Sequence, residues 1–242
     1  MPRIPDLSDP RYLDEVGWFL YHEHYRREQY GDSYDAERLA NSRLLLSDVL
    51  RALSRGAHWV EGKTVVSIGA GCTGDLAAFP AAVKIAIDPL LYTYQQLGML
   101  IPDAAGSPTV YLSMGAENLP LLDAAADLVI CRNALDHVPH PATVLAEIQR
   151  ILREDGAAFI SVDLGGVPTP DEPTVFSPES LQRLLREHFE IISFANDHPP
   201  HSKRRYSSVR VLARKRPGST TQLDKGAVLR EYEVRVGTRA PV

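Results

Sequence analysis

Residues 64–79 read TVVSIGAGCTGDLAAF, a β-branched run that ends in three closely spaced glycines, Gly69, Gly71 and Gly74. A strand followed by G-x-G-x-x-G and a helix is typical of α/β units that bring backbone N–H groups close to a nucleotide. Asp88 follows in IAIDPL, at the expected end of the second strand, where a carboxylate can accept both hydroxyls of a ribose. The pattern favours a ligand that contains adenosine, with an ordinary glycine turn and a helix-capping acid as the alternatives.

Beyond the glycine loop, short β-branched runs (IAI, VYL, DLVI, AAFISV) alternate with helical stretches, which predicts βαβ units and a parallel sheet. Pro141 begins an apolar stripe that runs to Leu152 and predicts a helix packed on the sheet, and Ser177 is placed as the N-cap of another. The runs HFEIISF and SVRVLA are joined by a polar segment too short for a crossover helix. They therefore predict an antiparallel pair of strands.

The composition limits the class of protein. The chain has 242 residues, 44% of them hydrophobic, which suits one domain with a sizeable core. Its net charge of −5 argues against a nucleic-acid-binding protein. Two cysteines, Cys72 and Cys131, are too few for a disulfide scaffold or a zinc site, and no run approaches the roughly 18 apolar residues of a membrane span. We expect a cytoplasmic protein with neither a nucleic acid nor a membrane as partner.

Residues 115–161 resemble the core of class I S-adenosylmethionine-dependent methyltransferases, particularly the small-molecule group called methyltransferase type 11. The resemblance rests on AENLP at residues 116–120, the DLV strand, LDHVP at residues 135–139 and LREDG before the fifth strand. It implies an α/β, Rossmann-like fold with a seven-stranded, mostly parallel sheet, an antiparallel last strand and an N-terminal helical lid.

The same resemblance divides the chain into three segments. Residues 1–60 would form a helical lid and part of the acceptor pocket, and residues 61–216 the S-adenosylmethionine-binding core. Residues 217–242 would be a C-terminal extension.

The resemblance also assigns cofactor contacts by position in the motifs. The residues beside the methionine, ribose, adenine and sulfonium would be Gly69, Ala70, Gly71, Asp88, Pro89, Leu90, Ala116, Glu117 and Asn133. Gly115 is a departure, because many relatives carry an acid there. The bond from that acid to the adenine amine would then come from Glu117 or from water.

Methyl transfer, with S-adenosylhomocysteine as product, is an in-line displacement, so alignment alone can be enough unless the nucleophile is an unactivated hydroxyl. The best candidate base is His137, with Asp136 as its neighbour, and the alternative is a histidine that fixes the loop. Asp163, at the expected carboxyl end of the fifth strand, is a further candidate or a simple cap.

Two segments are candidates for contacting the acceptor. An aromatic stretch supplies expected wall residues of the acceptor pocket, or else a core-facing helix: Tyr21, His22, Tyr25 and Tyr30. A polar segment near residue 200 would clamp an anionic acceptor, or else is a solvated loop: His198, His201, Lys203, Arg204 and Arg205. Its two histidines lack further ligands in sequence, so no metal site is expected.

The sequence as a whole predicts a methyltransferase of a small metabolite, most readily at oxygen, with nitrogen or carbon as alternatives. A nicotinamide dehydrogenase would share the glycine loop and acid, but not the motifs that follow. A methyltransferase-like regulatory or assembly protein is the remaining alternative, motivated by Gly115 and by the tail from Pro217. The oligomeric state is open, with a homodimer among the alternatives.

Overall fold

The computed structural model describes residues 16–17, 28, 31, 33–72, 74–196 and 207–216. Its longer helices are α1 (Ser33–Ala52), α2 (Leu91–Gln96), α3 (Pro141–Ile151) and α4 (Pro178–His188), with a 3-10 turn at Ala57–Val60. The strands are β1 (Thr64–Ile68), β2 (Val83–Ile87), β3 (Thr109–Leu112), β4 (Ala126–Arg132), β5 (Leu152–Leu164), β6 (Phe189–Asn196) and β7 (Ser207–Lys215). No helix within these described ranges combines the length and apolar character needed to cross a bilayer.

The seven strands form one sheet in the order β3-β2-β1-β4-β5-β7-β6. The pairs among β1 to β5 are parallel, whereas β7 runs antiparallel to both β5 and β6. The predicted α/β sheet with an antiparallel last strand is therefore confirmed. From β1 the chain adds β2 and β3 on one side of the sheet and then returns to add β4 on the other side, so the strand order reverses between β1 and β4. These two strands pair with Ile68 opposite Cys131. A crevice for a ligand is expected at the carboxyl ends of these two strands.

Helices cover both faces of the sheet. On one face, Val144 and Ile148 of α3 pack in an apolar cluster with Val129 of β4. On the other, Leu45 and Val49 of α1 pack against β1 and β4. Burial on both faces explains why β1 and β4 are almost continuously apolar. The described part of the predicted N-terminal lid, α1, thus contributes to the core.

The segment after the glycine loop departs from expectation. Residues 74–78 form turns, and no regular helix is present over residues 74–82, all of which the structure describes. Pro80 accounts for this, because it removes an N–H donor and disfavours helix at the residue before it. Ser42 of α1 holds the turn, since its Oγ donates to the carbonyl of Asp75 over 2.7 Å and accepts from the amide of Ala78 over 2.9 Å.

The two helices predicted from caps and stripes are confirmed, with one boundary corrected. Ser177 caps α4, and its Oγ accepts from the amide of Ser180 over 3.1 Å in a capping box. α3 ends at Ile151, so Leu152, predicted on the helix, is the first residue of β5. Leu152 is nevertheless fully buried. Burial alone could not separate the last helical residue from the first strand residue.

Candidate functional site

Asp88 joins the carboxyl ends of β1 and β2. Its Oδ2 accepts the amide of Gly71 over 3.0 Å, and its Oδ1 accepts the amide of Leu90 over 2.8 Å. The amide of Ala70 donates to the carbonyl of Ile87 over 3.1 Å. The glycine loop and the acid therefore form one hydrogen-bonded unit. Each carboxylate oxygen has further lone pairs, so Asp88, which is half-buried, can accept donors from a ligand as well.

The loops after β1 and β4 touch at the crevice. Gly69 has φ +63°, and a Cβ built there would lie 2.1 Å from the Cβ of Ala134. Glycine is therefore required both by backbone conformation and by the approach of the second loop. Asn133 is exposed, and its φ of +49° is one that asparagine tolerates better than most residues. The backbone N–H of Asn133 donates to the carbonyl of Ser161 over 2.8 Å, which fixes this loop to β5.

The loop after β3 carries the candidates for the adenine edge. Ala116 is buried and Glu117 is half-buried. A Cβ at Gly115 would lie 2.5 Å from Oε2 of Glu117. The carboxylate of Glu117 thus occupies the space that a side chain at Gly115 would take.

A buried ion pair supports this loop from α3, and sequence reasoning missed it. Glu147, 1% exposed, accepts the amide of Leu119 on Oε2 over 2.7 Å and pairs with Arg150 over 2.7 Å. Arg150 also donates to the carbonyls of Leu119 over 2.9 Å and Leu121 over 2.7 Å. A charged pair in the middle of an apolar helix stripe was the one available sequence signal.

Pro89 and Leu90, both predicted beside adenine, differ in environment. Leu90 is 1% exposed and packs with Cys72 and Tyr94. Pro89 is half-buried. Of the two residues, only Pro89 is accessible to a ligand from outside the apolar cluster.

The candidate acid–base residues lie past the carboxyl ends of β4 and β5. Asp136 is 3% exposed, and its Oδ1 has no hydrogen-bond partner among the described residues. Burial raises the pKa of Asp136 to about 6. The charges of Asp163 and Glu172 add to this shift, while His137 and a backbone hydrogen bond oppose it. The structure therefore places His137 and Asp163 near Asp136, and their catalytic roles stay predictions.

Glu172 is an addition that sequence reasoning missed. One donor atom from each of Asp136, His137 and Glu172 lies within 4.8 Å of the other two. The amide of Thr174 donates to the carbonyl of Asp136 over 3.2 Å, which ties the loop after β5 to the loop after β4. The only signal in the sequence was the position of Glu172 after a strand's carboxyl end.

Several predicted residues lie outside the part of the chain that the structure describes, and their roles stay predictions. They are the pocket candidates Tyr21, His22, Tyr25 and Tyr30, the clamp candidates His198, His201, Lys203, Arg204 and Arg205, and the extension at residues 217–242.

Comparison with known proteins places this crevice within a recognised domain. Residues 66–160 match the methyltransferase domain family. A Mycobacterium ulcerans (strain Agy99) protein named as an uncharacterized methyltransferase is 31% identical over 126 residues, which cover 50% of this chain and 47% of that protein. The chain thus spans about half the length of the curated relatives it matches.

Solved structures share the fold. Burkholderia thailandensis 1,6-didemethyltoxoflavin-N1-methyltransferase, with 1,6-didemethyltoxoflavin and S-adenosylhomocysteine bound, has a TM-score of 0.55 at 22% identity. The match covers 88% of this chain and 93% of that one. The cyclase SpnF has a TM-score of 0.54 at 16% identity, covering 72% of this chain and 80% of its own. At these identities the likeness concerns the fold alone.

Proposed function

Because residues 66–160 belong to the class I S-adenosylmethionine-dependent methyltransferase family, we propose that the protein methylates a small-molecule acceptor, most readily at oxygen. The observation that carries the proposal is the hydrogen-bonded unit of the glycine loop and Asp88 at the switch point of the sheet. That unit presents backbone and a carboxylate to the place where such folds bind nucleoside ligands.

The turns after the glycine loop favour S-adenosylmethionine over a dinucleotide. A pyrophosphate is bound by the N–H groups and positive dipole of a helix N-terminus. Here, within the described residues 74–82, turns at residues 74–78 replace that helix, so no helix N-terminus follows the glycine loop. S-adenosylmethionine has no phosphate, and its sulfonium is positive.

The residues around the crevice suit the parts of that cofactor. Gly69, Ala70 and Gly71 would line the methionine and ribose, and Asp88 would accept the ribose hydroxyls. Because position 115 is a glycine and has no acidic side chain, Glu117 would accept the hydrogen bond from the adenine amine. The position of the Glu117 carboxylate next to Gly115 supports this role. The remaining proposed contacts are Pro89, Leu90 and Ala116 at the adenine and Asn133 near the sulfonium.

When bound, S-adenosylmethionine supplies an electrophilic methyl group. The chain's own task is to hold the acceptor in line and to take up the proton of an acceptor hydroxyl. We assign the proton to a ring nitrogen of His137, which lies near the carboxylate of Asp136, because both residues follow the carboxyl end of β4. The acceptor walls would come from Tyr21, His22, Tyr25 and Tyr30.

Methylation at nitrogen is the second candidate. It is kept because the 1,6-didemethyltoxoflavin-N1-methyltransferase, whose fold resembles 88% of this chain, shows that such an architecture also serves methylation at nitrogen. A non-methylating role is the third candidate, since the cyclase SpnF has the same fold.

Calorimetric titration with S-adenosylmethionine, S-adenosylhomocysteine and NADH, side by side, tests the proposal. We expect binding of the two adenosyl ligands and none of NADH. Incubation with S-adenosylmethionine and a panel of hydroxylated and heterocyclic acceptors should then give products heavier by one methylene, detected by mass spectrometry. Binding of NADH alone would point to a dehydrogenase. If none of the three ligands bound, the non-catalytic alternative would remain.

A further inference from the structure

Several carboxylates lie near His137 in the loops that follow β4 and β5, although a single histidine would be enough to accept a proton. Asp136 and His137 come from the loop after β4, and Glu172 comes from the loop after β5, with donor atoms within 4.8 Å of one another. Asp163, at the end of β5, is close enough for its charge to act on Asp136. Two carboxylates thus lie beside the imidazole, and a third lies near one of them.

One carboxylate oxygen of Asp136, Oδ1, is buried without a hydrogen-bond partner among the described residues. Asp136 as a whole is 3% exposed. A buried carboxylate costs free energy unless it is paired or coordinates a metal ion. Its raised pKa has the same origin, namely burial and the neighbouring carboxylates.

From this geometry we propose that Asp136, His137 and Glu172 bind a divalent transition-metal ion through two carboxylate oxygens and one imidazole nitrogen. Carboxylates suit hard cations such as Mn²⁺, whereas imidazole suits zinc, iron and nickel, so the mixed set favours Mn²⁺ or Zn²⁺ over Ca²⁺. Three protein ligands leave open coordination positions, as in metal sites that bind an exogenous molecule.

The cluster can contract to the required size. Ligand distances of about 2.0–2.2 Å place neighbouring donors roughly 3–3.5 Å apart, and the donor atoms here lie within 4.8 Å of one another. His137 and Glu172 are both only half-buried, which leaves their side chains room to adjust. The backbone of Glu172 is already placed by a turn, in which its amide donates to Oγ1 of Thr169 over 3.0 Å.

Cation binding and proton uptake exclude each other at His137, because the metal uses the lone pair that a proton acceptor needs. The base role proposed above therefore belongs to the cation-free site. The inference itself does not depend on methyl transfer, since it concerns binding of the ion alone.

The test is titration of the chelator-treated full chain with MnCl₂, ZnCl₂ and CaCl₂, followed by calorimetry and by the electron paramagnetic resonance signal of free Mn²⁺. We expect one Mn²⁺ or Zn²⁺ per chain, bound more tightly than Ca²⁺. Glu172→Gln should weaken that binding by roughly tenfold or more, since it removes a ligand.

Asp171→Asn is the matched control. This substitution removes one negative charge from the same loop but keeps the side-chain oxygen that accepts a hydrogen bond from the Thr169 hydroxyl over 2.6 Å. The variant should bind the metal ion as the wild type does. His198→Ala/His201→Ala should also retain the binding, which separates this cluster from the histidines outside the described residues. The circular dichroism spectrum and thermal unfolding of Glu172→Gln, compared with the wild type, report whether that variant is folded.

Three results would overturn the proposal: no saturable binding of Mn²⁺ or Zn²⁺, unchanged binding by Glu172→Gln, or equal weakening by Asp171→Asn. If Glu172→Gln fails to fold, His137→Gln serves in its place with the same expectation. Failure of the proposed methyltransferase function would appear instead as silence toward the adenosyl ligands in the wild type, which leaves the metal titration unaffected.

Discussion

The amide of Gly71 donates to Oδ2 of Asp88 over 3.0 Å, so the acid that would hold a ribose also closes the glycine loop. Oδ1 of the same carboxylate accepts the amide of Leu90 at the start of α2. Loop conformation and ligand contact therefore depend on one side chain, and a change at Asp88 should affect both.

Asp88→Ala should weaken binding of S-adenosylhomocysteine by about 1–3 kcal/mol, because a charge-assisted acceptor is lost. Calorimetry on the folded variant measures this loss. Asp155→Ala, which removes an exposed acid at the start of β5, is the control and should bind normally. Unchanged affinity in folded Asp88→Ala would reject the ribose role.

Gly69→Ala tests the contact between the loops after β1 and β4. Left-handed backbone costs a residue with a Cβ about 1–2 kcal/mol, and overlap with Ala134 adds about 1–3 kcal/mol. Gly62→Ala is the matched control, because Gly62 has φ +75° and a Cβ there would meet nothing within 4 Å. Urea unfolding should show the larger loss for Gly69→Ala. Equal losses would mean that the loop after β4 moves aside freely.

Glu147→Ala should cost about 1–3 kcal/mol of unfolding free energy, since Arg150 loses its buried partner and, among the described residues, keeps only the exposed Asp123 as an ion pair. The amide of Leu119 would also lose its acceptor and exchange hydrogen faster. Glu154→Ala is the control, because Glu154 pairs with Lys215 while 72% exposed, and such pairs contribute up to about 1 kcal/mol. If chemical denaturation gave the two variants similar stabilities, the pair would not support the loop after β3.

His188 should make stability depend on pH. Burial lowers the pKa of this imidazole, with Glu187 opposing the shift. The unfolded chain therefore binds the proton more readily, and stability present above the unfolded pKa of about 6.5 is lost as pH falls through the folded pKa. Denaturation at pH 7.5 and pH 5 should show a smaller loss for His188→Gln than for the wild type.

His58→Gln is the control for this measurement, because the side chain of His58 is 90% exposed. It should lose stability on acidification as the wild type does. The same pH dependence in wild type and His188→Gln would show that protonation of His188 does not oppose folding.

Most of the fold could be predicted because its signals are local. The β-branched runs correspond to β1 to β7, and the cap at Ser177 and the stripe from Pro141 correspond to α4 and α3. The helix expected after Gly74 was wrong, because Pro80 and the bond to Ser42 outweigh the usual pattern. The boundary at Leu152 was misplaced, because helix and strand bury that side chain alike.

The sequence alone was enough to predict the α/β sheet, the glycine loop and Asp88, since each depends on residues close together in the chain. The contact of Gly69 with Ala134, the support of Leu119 by Glu147 and the meeting of Asp136 with Glu172 depend on the tertiary structure. Those pairs come from segments far apart in the chain, and only the strand order and the paths of the loops bring them within contact distance.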